Sequence, residues 1–351
     1  MTQPPLHLDH PGIATAFTRL ATPLAHCRLE RLAGRHLLLT GATGFFGKWV
    51  LVLCDWLNRQ GIALQVSATS RAPERFLRDL PYYASCPWLT WQAVDLMRAC
   101  PDTRGIDYLL HCATDSSATV QARRLEFFSD LLRTTENVLA AAAAGGVARS
   151  LLVGSGAQYG VLERGCPVAE DWRQACLSNR AQDAYAEGKR VQEMLGVLHA
   201  EQYGLEVVFA RAFAFLGPGL PLDGHFAAGN FLRDALLGEA IVLQSQGSAV
   251  RSYLYGADLA IWLLVLLLDG ESGQAYNVGS DEGICVFDLA LRMRDLLAPC
   301  KAVHRPPASA DAERGSFYVP AIAKSRALGL DIWTTLDQAI LESARWQLSA
   351  F

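Results

Sequence analysis

The stretch "TGATGFFG", Thr40 to Gly47, decides how this chain is read. It follows a short apolar run, "HLLLT" at 36–40, and leads into a helical stretch, "FGKWVLVLCDWLNRQ" at 46–60. Glycines at 41, 44 and 47 let a backbone turn tightly, approach a pyrophosphate and pack the following helix on a sheet. The phosphates then meet the free N–H groups and the positive end of that helix. A lone glycine-rich string carries little weight. In a strand–turn–helix context it predicts a dinucleotide site.

Outward from this turn, short apolar runs alternate with helical segments. Strands are predicted at "ALQVSATS" (63–70), "WLTWQAV" (88–94), "DYLLHCA" (107–113), "SLLVGS" (150–155), "EVVFARAF" (206–213) and, later, "QAYNVGS" (274–280). Helices are predicted at 46–60, 73–80, 120–145 and 183–203. Strands with no clean period of two are buried on both faces. With helices between them they build an α/β, Rossmann-like, doubly wound parallel sheet. Residues 1–34 form an N-terminal extension with one helix, and 35–213 a dinucleotide-binding domain that takes back the strand near 274–280. From 214 the Gly- and Pro-rich "FLGPGLPLDGHFAAGN" opens a smaller lobe, to 351, expected to bind substrate over the carboxyl ends of the strands.

The 351 residues are 51% hydrophobic and 19% charged, an ordinary globular composition, and the net charge is -4. No basic block stands out, so nucleic acid is not an expected partner. The nine cysteines are scattered, with no CxxC and no Cys/His cluster, which predicts reduced thiols and no metal site. The opening "MTQPPLHLDHPG" lacks the basic-then-apolar pattern of a secretory signal, and a cytoplasmic protein is expected. The longest apolar run, "IWLLVLLL" at 261–268, is far short of the roughly 18 residues that span a bilayer, and reads as a buried helix.

In "YAEGK" (185–189), Tyr185 and Lys189 are one helical turn apart and share a face. A free tyrosine has a pKa near ~10. A nearby ammonium stabilises the phenolate and lowers that value. Ser155 ends a predicted strand, where its hydroxyl can meet a substrate oxygen.

"TGATGFFG" resembles the TGxxGxxG turn of the extended short-chain dehydrogenase/reductases, the nucleotide-sugar epimerases, dehydratases and 4-ketoreductases. The resemblance continues, in the family's order, through "HCAT" (111–114), "VGSGAQYG" (153–160), "YAEGK", "RAFAFLGPG" (211–219), "VRSYLYGADLA" (250–260) and "YNVGS" (276–280). It implies a Ser155, Tyr185, Lys189 triad: tyrosine exchanges the proton on a sugar hydroxyl, and lysine also binds the nicotinamide ribose. It implies cofactor contacts from Gly41, Thr43, Gly44, Phe45, Phe46 and Gly47, from Cys112, Ala113 and Thr114, and from Phe213. Asp95 and Leu96 match the adenine-contacting pair. At the end of the second strand, where an acid usually takes the ribose hydroxyls of NAD, stand Ser70 and Arg71. An arginine there would pair with the extra phosphate of NADP; NAD with a solvated Arg71 is the alternative. Substrate contacts fall on Asp115, Ser155, Asn230 and Arg251. Arg251 matches an arginine that grips the diphosphate of the substrate, a salt bridge to Asp258 being the rival reading.

There are departures. Ala214 and Leu131 stand where many relatives have asparagine. Gly156 and Ala157 follow Ser155, where 4,6-dehydratases carry an acidic residue and a second acid or a lysine. The resemblance therefore implies a nucleotide-sugar enzyme, read as an NADPH-dependent 4-ketoreductase of a 4-keto-6-deoxy sugar. A 4-epimerase, a 4,6-dehydratase and an inactive NADP-sensing protein are the alternatives. A homodimer through the helices at 120–145 and 183–203 is expected.

Overall fold

The computed structural model describes residues 3–114, 122–224, 226–307 and 315–349. Among them a seven-stranded parallel sheet runs through the molecule. Its strands are β1 (His36–Thr40), β2 (Gln65–Ser70), β3 (Leu89–Ala93), β4 (Tyr108–His111), β5 (Arg149–Ser155), β6 (Glu206–Ala212) and, after four short strands introduced below, β11 (Ala275–Val278). The spatial order is β11-β6-β5-β4-β1-β2-β3. The order reverses between β1 and β4, and this opens a crevice at their carboxyl ends.

The strand residues alternate between two cores. Leu38, Leu109, Leu152 and Phe209 pack with Val138 and Leu139 of α4 (Arg124–Gly145), on the face that α4 shares with α5 (Ala184–Tyr203). Leu37, Leu39, Leu110, Leu151 and Val208 enter the larger core on the other face, with α2 (Phe45–Arg59) and α7 (Gly256–Asp269). Burial on both faces explains the unbroken apolar runs. Residues 256–268 are all buried, so the "IWLLVLLL" run is an internal helix. Among the described residues no helix is long and apolar enough to cross a membrane.

Most predicted strands overrun the observed ones by a residue or two, while 36–40 matches β1 and 150–155 starts one residue inside β5. The clearest case is 107–113, which stops at His111. Residues 112–114 peel away because Gly41 turns directly against them: a Cβ on Gly41 would lie 2.7 Å from the Ala113 nitrogen. Helix α1 (Pro11–His26) of the N-terminal segment buries Phe17 and Leu20 completely in the α2–α7 core. Its Arg19 reaches Thr334 and Glu342, near the other end of the chain.

Short strands, invisible in the sequence pattern, organise the second lobe: β7 (Phe215–Leu216) with β10 (Leu254–Tyr255), β8 (Ala240–Val242) with β13 (Ala302–His304), and β9 (Val250–Arg251) between β12 (Ile284–Cys285) and β14 (Phe317–Tyr318). Helix α6 (Ala227–Leu237) lies beside β8. Helices α4 and α5, where the dimer contact is expected, leave Leu125, Met194, Leu198 and Tyr203 exposed.

Candidate active site

The glycine-rich turn comes first. Gly41 has φ +70, a conformation L side chains rarely adopt, and it abuts residues 112–113. A Cβ on Gly47 would lie 2.3 Å from the Gly41 carbonyl oxygen, so only glycine lets α2 start this close to β1. Gly44 caps α2 with no side chain capping the helix, and the space over its Cα is open apart from the Gly41 oxygen at 3.4 Å. Uncapped N–H groups, an open approach and the positive end of a 15-residue helix make a cradle that fits a pyrophosphate. Thr43 is exposed at this rim. Phe45 and Phe46 are half-buried, and Phe46 packs edge-on against Phe215 of β7.

Around the cradle, Ser70 is half-buried and its hydroxyl accepts from the Ala72 N–H at 3.2 Å, tightening the turn after β2. Arg71 is exposed, with no ion pair among the described residues. The adenine-side pair is held in its own loop. Asp95 accepts from the Met97 N–H at 3.2 Å, and the Leu96 carbonyl accepts from Asn137 Nδ2 of α4 at 2.8 Å.

The catalytic candidates meet at the carboxyl ends of β4 and β5. Ser155 is the last residue of β5 and is buried; its Oγ accepts from the Ala157 N–H at 3.2 Å. Tyr185 and Lys189 both lie on α5, as the spacing requires. The Tyr185 ring packs near Phe127, with ring centroids 5.8 Å apart. Burial raises its pKa and Ser155 pulls the other way, which leaves the phenol protonated at neutral pH. Lys189 is 2% exposed. Its ammonium donates to Thr114 Oγ1 and to the Val153 carbonyl, both at 2.8 Å, and to Gln192 Oε1 at 2.9 Å. Its bonds thus run to oxygens of β5, of the loop after β4 and of its own helix. Burial lowers the Lys189 pKa to about 7, against the partial support of Cys112 and Glu193.

A half-buried ion-pair network ties α5 to β6. Glu193 receives Arg211 of β6 at 2.8 and 2.9 Å and Gln158 Nε2 at 2.5 Å. Arg211 also donates to the Tyr159 hydroxyl, which donates to Asn277 of β11. These bonds tie the loop after Ser155 to three elements of the main fold.

The two residues expected to share one role stand on different elements, Asn230 on α6 and Arg251 on β9. Asn230 lines a cavity of about 690 Å³ with Val242, Gln244, Val286 and His304, and its amide donates to the Gly224 carbonyl. Arg251 ends β9. Its guanidinium donates to the Val250 and Ser316 carbonyls and to Ser316 Oγ. Asp258 does not pair with it. That carboxylate accepts from the Trp333 and Thr334 N–H groups and from Thr334 Oγ1, which removes the salt-bridge reading. Arg251 has no carboxylate partner among the described residues. Asp115 lies outside the described residues. Leu131 packs against Gly188 of α5, so that position serves helix packing. Phe213 is buried and stacks near Tyr159 and Tyr318.

Sequence reading missed Tyr318. Its hydroxyl is 3.5 Å from Ser155 Oγ and donates to the Ala212 carbonyl at 3.3 Å. No local signal marks it. It stands 163 residues after Ser155, and the pairing of β14 with β9, Tyr318 opposite Arg251, brings it there.

His111 is buried, with Nδ1 2.7 Å from Thr40 Oγ1 and Nε2 without a partner among the described residues. Burial, then the Lys189 charge, hold its pKa down at about 3. As pH falls from the ordinary histidine value towards 3, the unfolded chain takes a proton that the folded chain refuses, so stability falls across that window. The urea midpoint of the wild type should therefore drop between about pH 6.5 and about pH 4.5 by more than that of His111→Gln. Equal drops would show that His111 does not carry this dependence.

Over 115 residues the chain is 34% identical to UDP-glucuronic acid decarboxylase 6 of Arabidopsis thaliana, covering 33% of each protein; the match spans a third of that relative's length. It is 27% identical to a dTDP-4-dehydro-6-deoxy-D-allose reductase from a Streptomyces species, covering 90% of this chain and 97% of that one. The fold superposes on a UDP-N-acetylglucosamine 4-epimerase from Methanobrevibacter ruminantium with a TM-score of 0.77 at 20% identity, covering 91% of this chain and all of that one. The model of the NAD-dependent epimerase/dehydratase family matches residues 37–279, from β1 to the end of β11, and the chain belongs to that family.

Proposed function

We propose that the protein is an NADPH-dependent reductase that delivers hydride to C4 of a nucleotide-diphosphate-linked 4-keto-6-deoxyhexose. The observation that carries this reading is the end of β2, where Ser70 and an unpaired Arg71 stand in place of a carboxylate. An acid there would repel a 2′-phosphate; an arginine fork receives one. NADPH suits a reaction that consumes its cofactor. The near end-to-end similarity to a 4-keto-sugar reductase supports the same reading.

The slot after Ser155 supports it from the other side. Eliminating water across C5 and C6 needs a base and an acid beside the triad. A Cβ on Gly156 would lie 2.6 Å from the Phe213 ring, so an acidic side chain has no room there without moving that ring. Ala157 has no titratable group, and Glu163 is exposed.

When bound, the cofactor supplies the hydride. Ser155 Oγ orients the ketone oxygen, and Tyr185, protonated by virtue of its burial, donates the proton that oxygen needs as C4 accepts the hydride. The carbonyl thus becomes a secondary alcohol. Lys189 contributes positive potential one turn away. Arg251 is suited to the substrate diphosphate, and the cavity beside Asn230 to the rest of the nucleotide. A 4-epimerase would use the same three residues and retain its cofactor.

Incubation with NADPH and such a 4-keto sugar should oxidise one cofactor per sugar reduced. Formation of an isomer with no net oxidation would point to epimerisation instead. With an NDP-hexose in deuterated water no 4-keto-6-deoxy product should form, and deuterium at C5 of such a product would refute the reading.

A further inference from the structure

Lys189 is a buried cation without an ion pair of its own among the described residues. Glu193, one turn further along α5, is taken by Arg211 of β6 and by Gln158, and Glu187 pairs with Arg190. From β4 and the residues after it come His111, held neutral by burial, and Cys112, whose thiol burial pushes up to about 12. Tyr185 on the same helix is a neutral phenol, and α4 presents Phe128 and Leu131 at Gly188. Among the described residues, every group that accepts a hydrogen bond from the Lys189 ammonium is therefore a neutral oxygen, with Glu193 acting only at a distance. A strand carbonyl, Val153, and a loop hydroxyl, Thr114, provide two.

The third is Gln192, and its geometry is informative. It is 1% exposed and lies three residues along the helix from Lys189, so the two side chains share a face. Its Oε1 is 2.9 Å from Nζ, while its Nε2 is buried with no partner among the described residues. The orientation is the one the lysine requires: turned the other way, the amide would set an N–H donor against the ammonium, which has only donors. Turned as it is, the amide presents oxygen to the ammonium and leaves the strain on its own nitrogen. With Val153, Thr114 and Gln192 all accepting, each of the three N–H bonds of an ammonium has its own oxygen.

We propose that Gln192 is a positioning residue of this site: its side-chain oxygen fixes the Lys189 ammonium and keeps it charged, so that a cation stands one turn from Tyr185 during the reaction. The role in the reaction rests on the reading of Tyr185 and Lys189 given above; the effect on the ammonium does not.

The chain makes the test direct, because its lysines are Lys48, Lys189, Lys301 and Lys324 alone. Protein labelled with 13C at lysine Cε gives one resonance for each, assigned by single Lys→Arg substitutions at positions 48, 301 and 324. The titration midpoint of Lys189 should fall by about one pH unit or more in Gln192→Met, which keeps the length and removes the acceptor, a tenfold or larger loss in the proton affinity. It should rise by a similar amount in Gln192→Glu, while the other three resonances keep their midpoints. The alkaline limb of NADPH-dependent turnover should move in the same direction in each variant. Should Gln192→Met fail to fold, seen as loss of the other lysine resonances, Gln192→Glu still decides the matter. A Lys189 midpoint that is the same in wild type and in the folded variants overturns the proposal. Failure of the proposed reaction would appear elsewhere, as normal turnover in Tyr185→Phe.

Discussion

Tyr185→Phe should lower turnover by ~10²–10⁴ while the cofactor still binds. The substitution removes one oxygen and leaves the ring. The contact with Phe127 at 5.8 Å between centroids survives, so the helix stays in place. Lys189 keeps its three oxygen partners, none of which is Tyr185, and the cradle of Gly41, Gly44 and Gly47 is untouched. What disappears is the proton donor. Burial raises the phenol's pKa, so in the wild type the proton is present at neutral pH. Without it, the developing alkoxide must draw a proton from solvent in a site that restricts water. Steady-state turnover with a 4-keto-6-deoxy sugar, and cofactor binding followed by fluorescence, measure the two quantities separately. Near-normal turnover on the true substrate would remove Tyr185 from the chemistry.

The second large effect is on cofactor choice. If Arg71 receives the 2′-phosphate, NADPH should bind more tightly than NADH by roughly ten- to a hundredfold, the equivalent of about 1.5–3 kcal/mol for a charge-assisted pair. Arg71→Ala should erase most of that preference and leave NADH affinity nearly unchanged. Arg71 is exposed, so the preference should shrink as salt is raised. Titration of wild type and variant with both cofactors, at low and physiological salt, tests this. Equal affinities, or a preference for NADH, would reject the assignment and favour the epimerase reading.

The parts of this protein that were legible in its sequence are those with a local cause. The turn at Thr40–Gly47 requires glycine because its backbone passes within van der Waals reach of neighbouring backbone, and such requirements are written directly in the residue types. The inner strands β1, β4, β5 and β6 are legible because burial on both faces demands unbroken apolar runs. The pairing of Tyr185 with Lys189 follows from helix geometry alone. Strand ends were placed a residue or two too far, since where β4 stops is decided by Gly41 across the sheet and not by its own residues.

Everything that depends on chain segments meeting from a distance was decided by the tertiary structure. The sequence offered Asp258 as a partner for Arg251, seven residues away, but buried N–H groups at 333 and 334 needed that carboxylate and took it. It placed Lys189 one turn from Tyr185, but not the oxygens that hold a desolvated ammonium there, which come from β5, the loop after β4 and Gln192. Tyr318 reaches Ser155 only because a two-residue strand pairs with β9, and no periodicity marks so short an element. Local sterics and burial patterns leave a signature in sequence because each residue carries its own share. Satisfaction of buried polar groups leaves almost none, because the partner can stand anywhere in the chain and only the folded packing selects it.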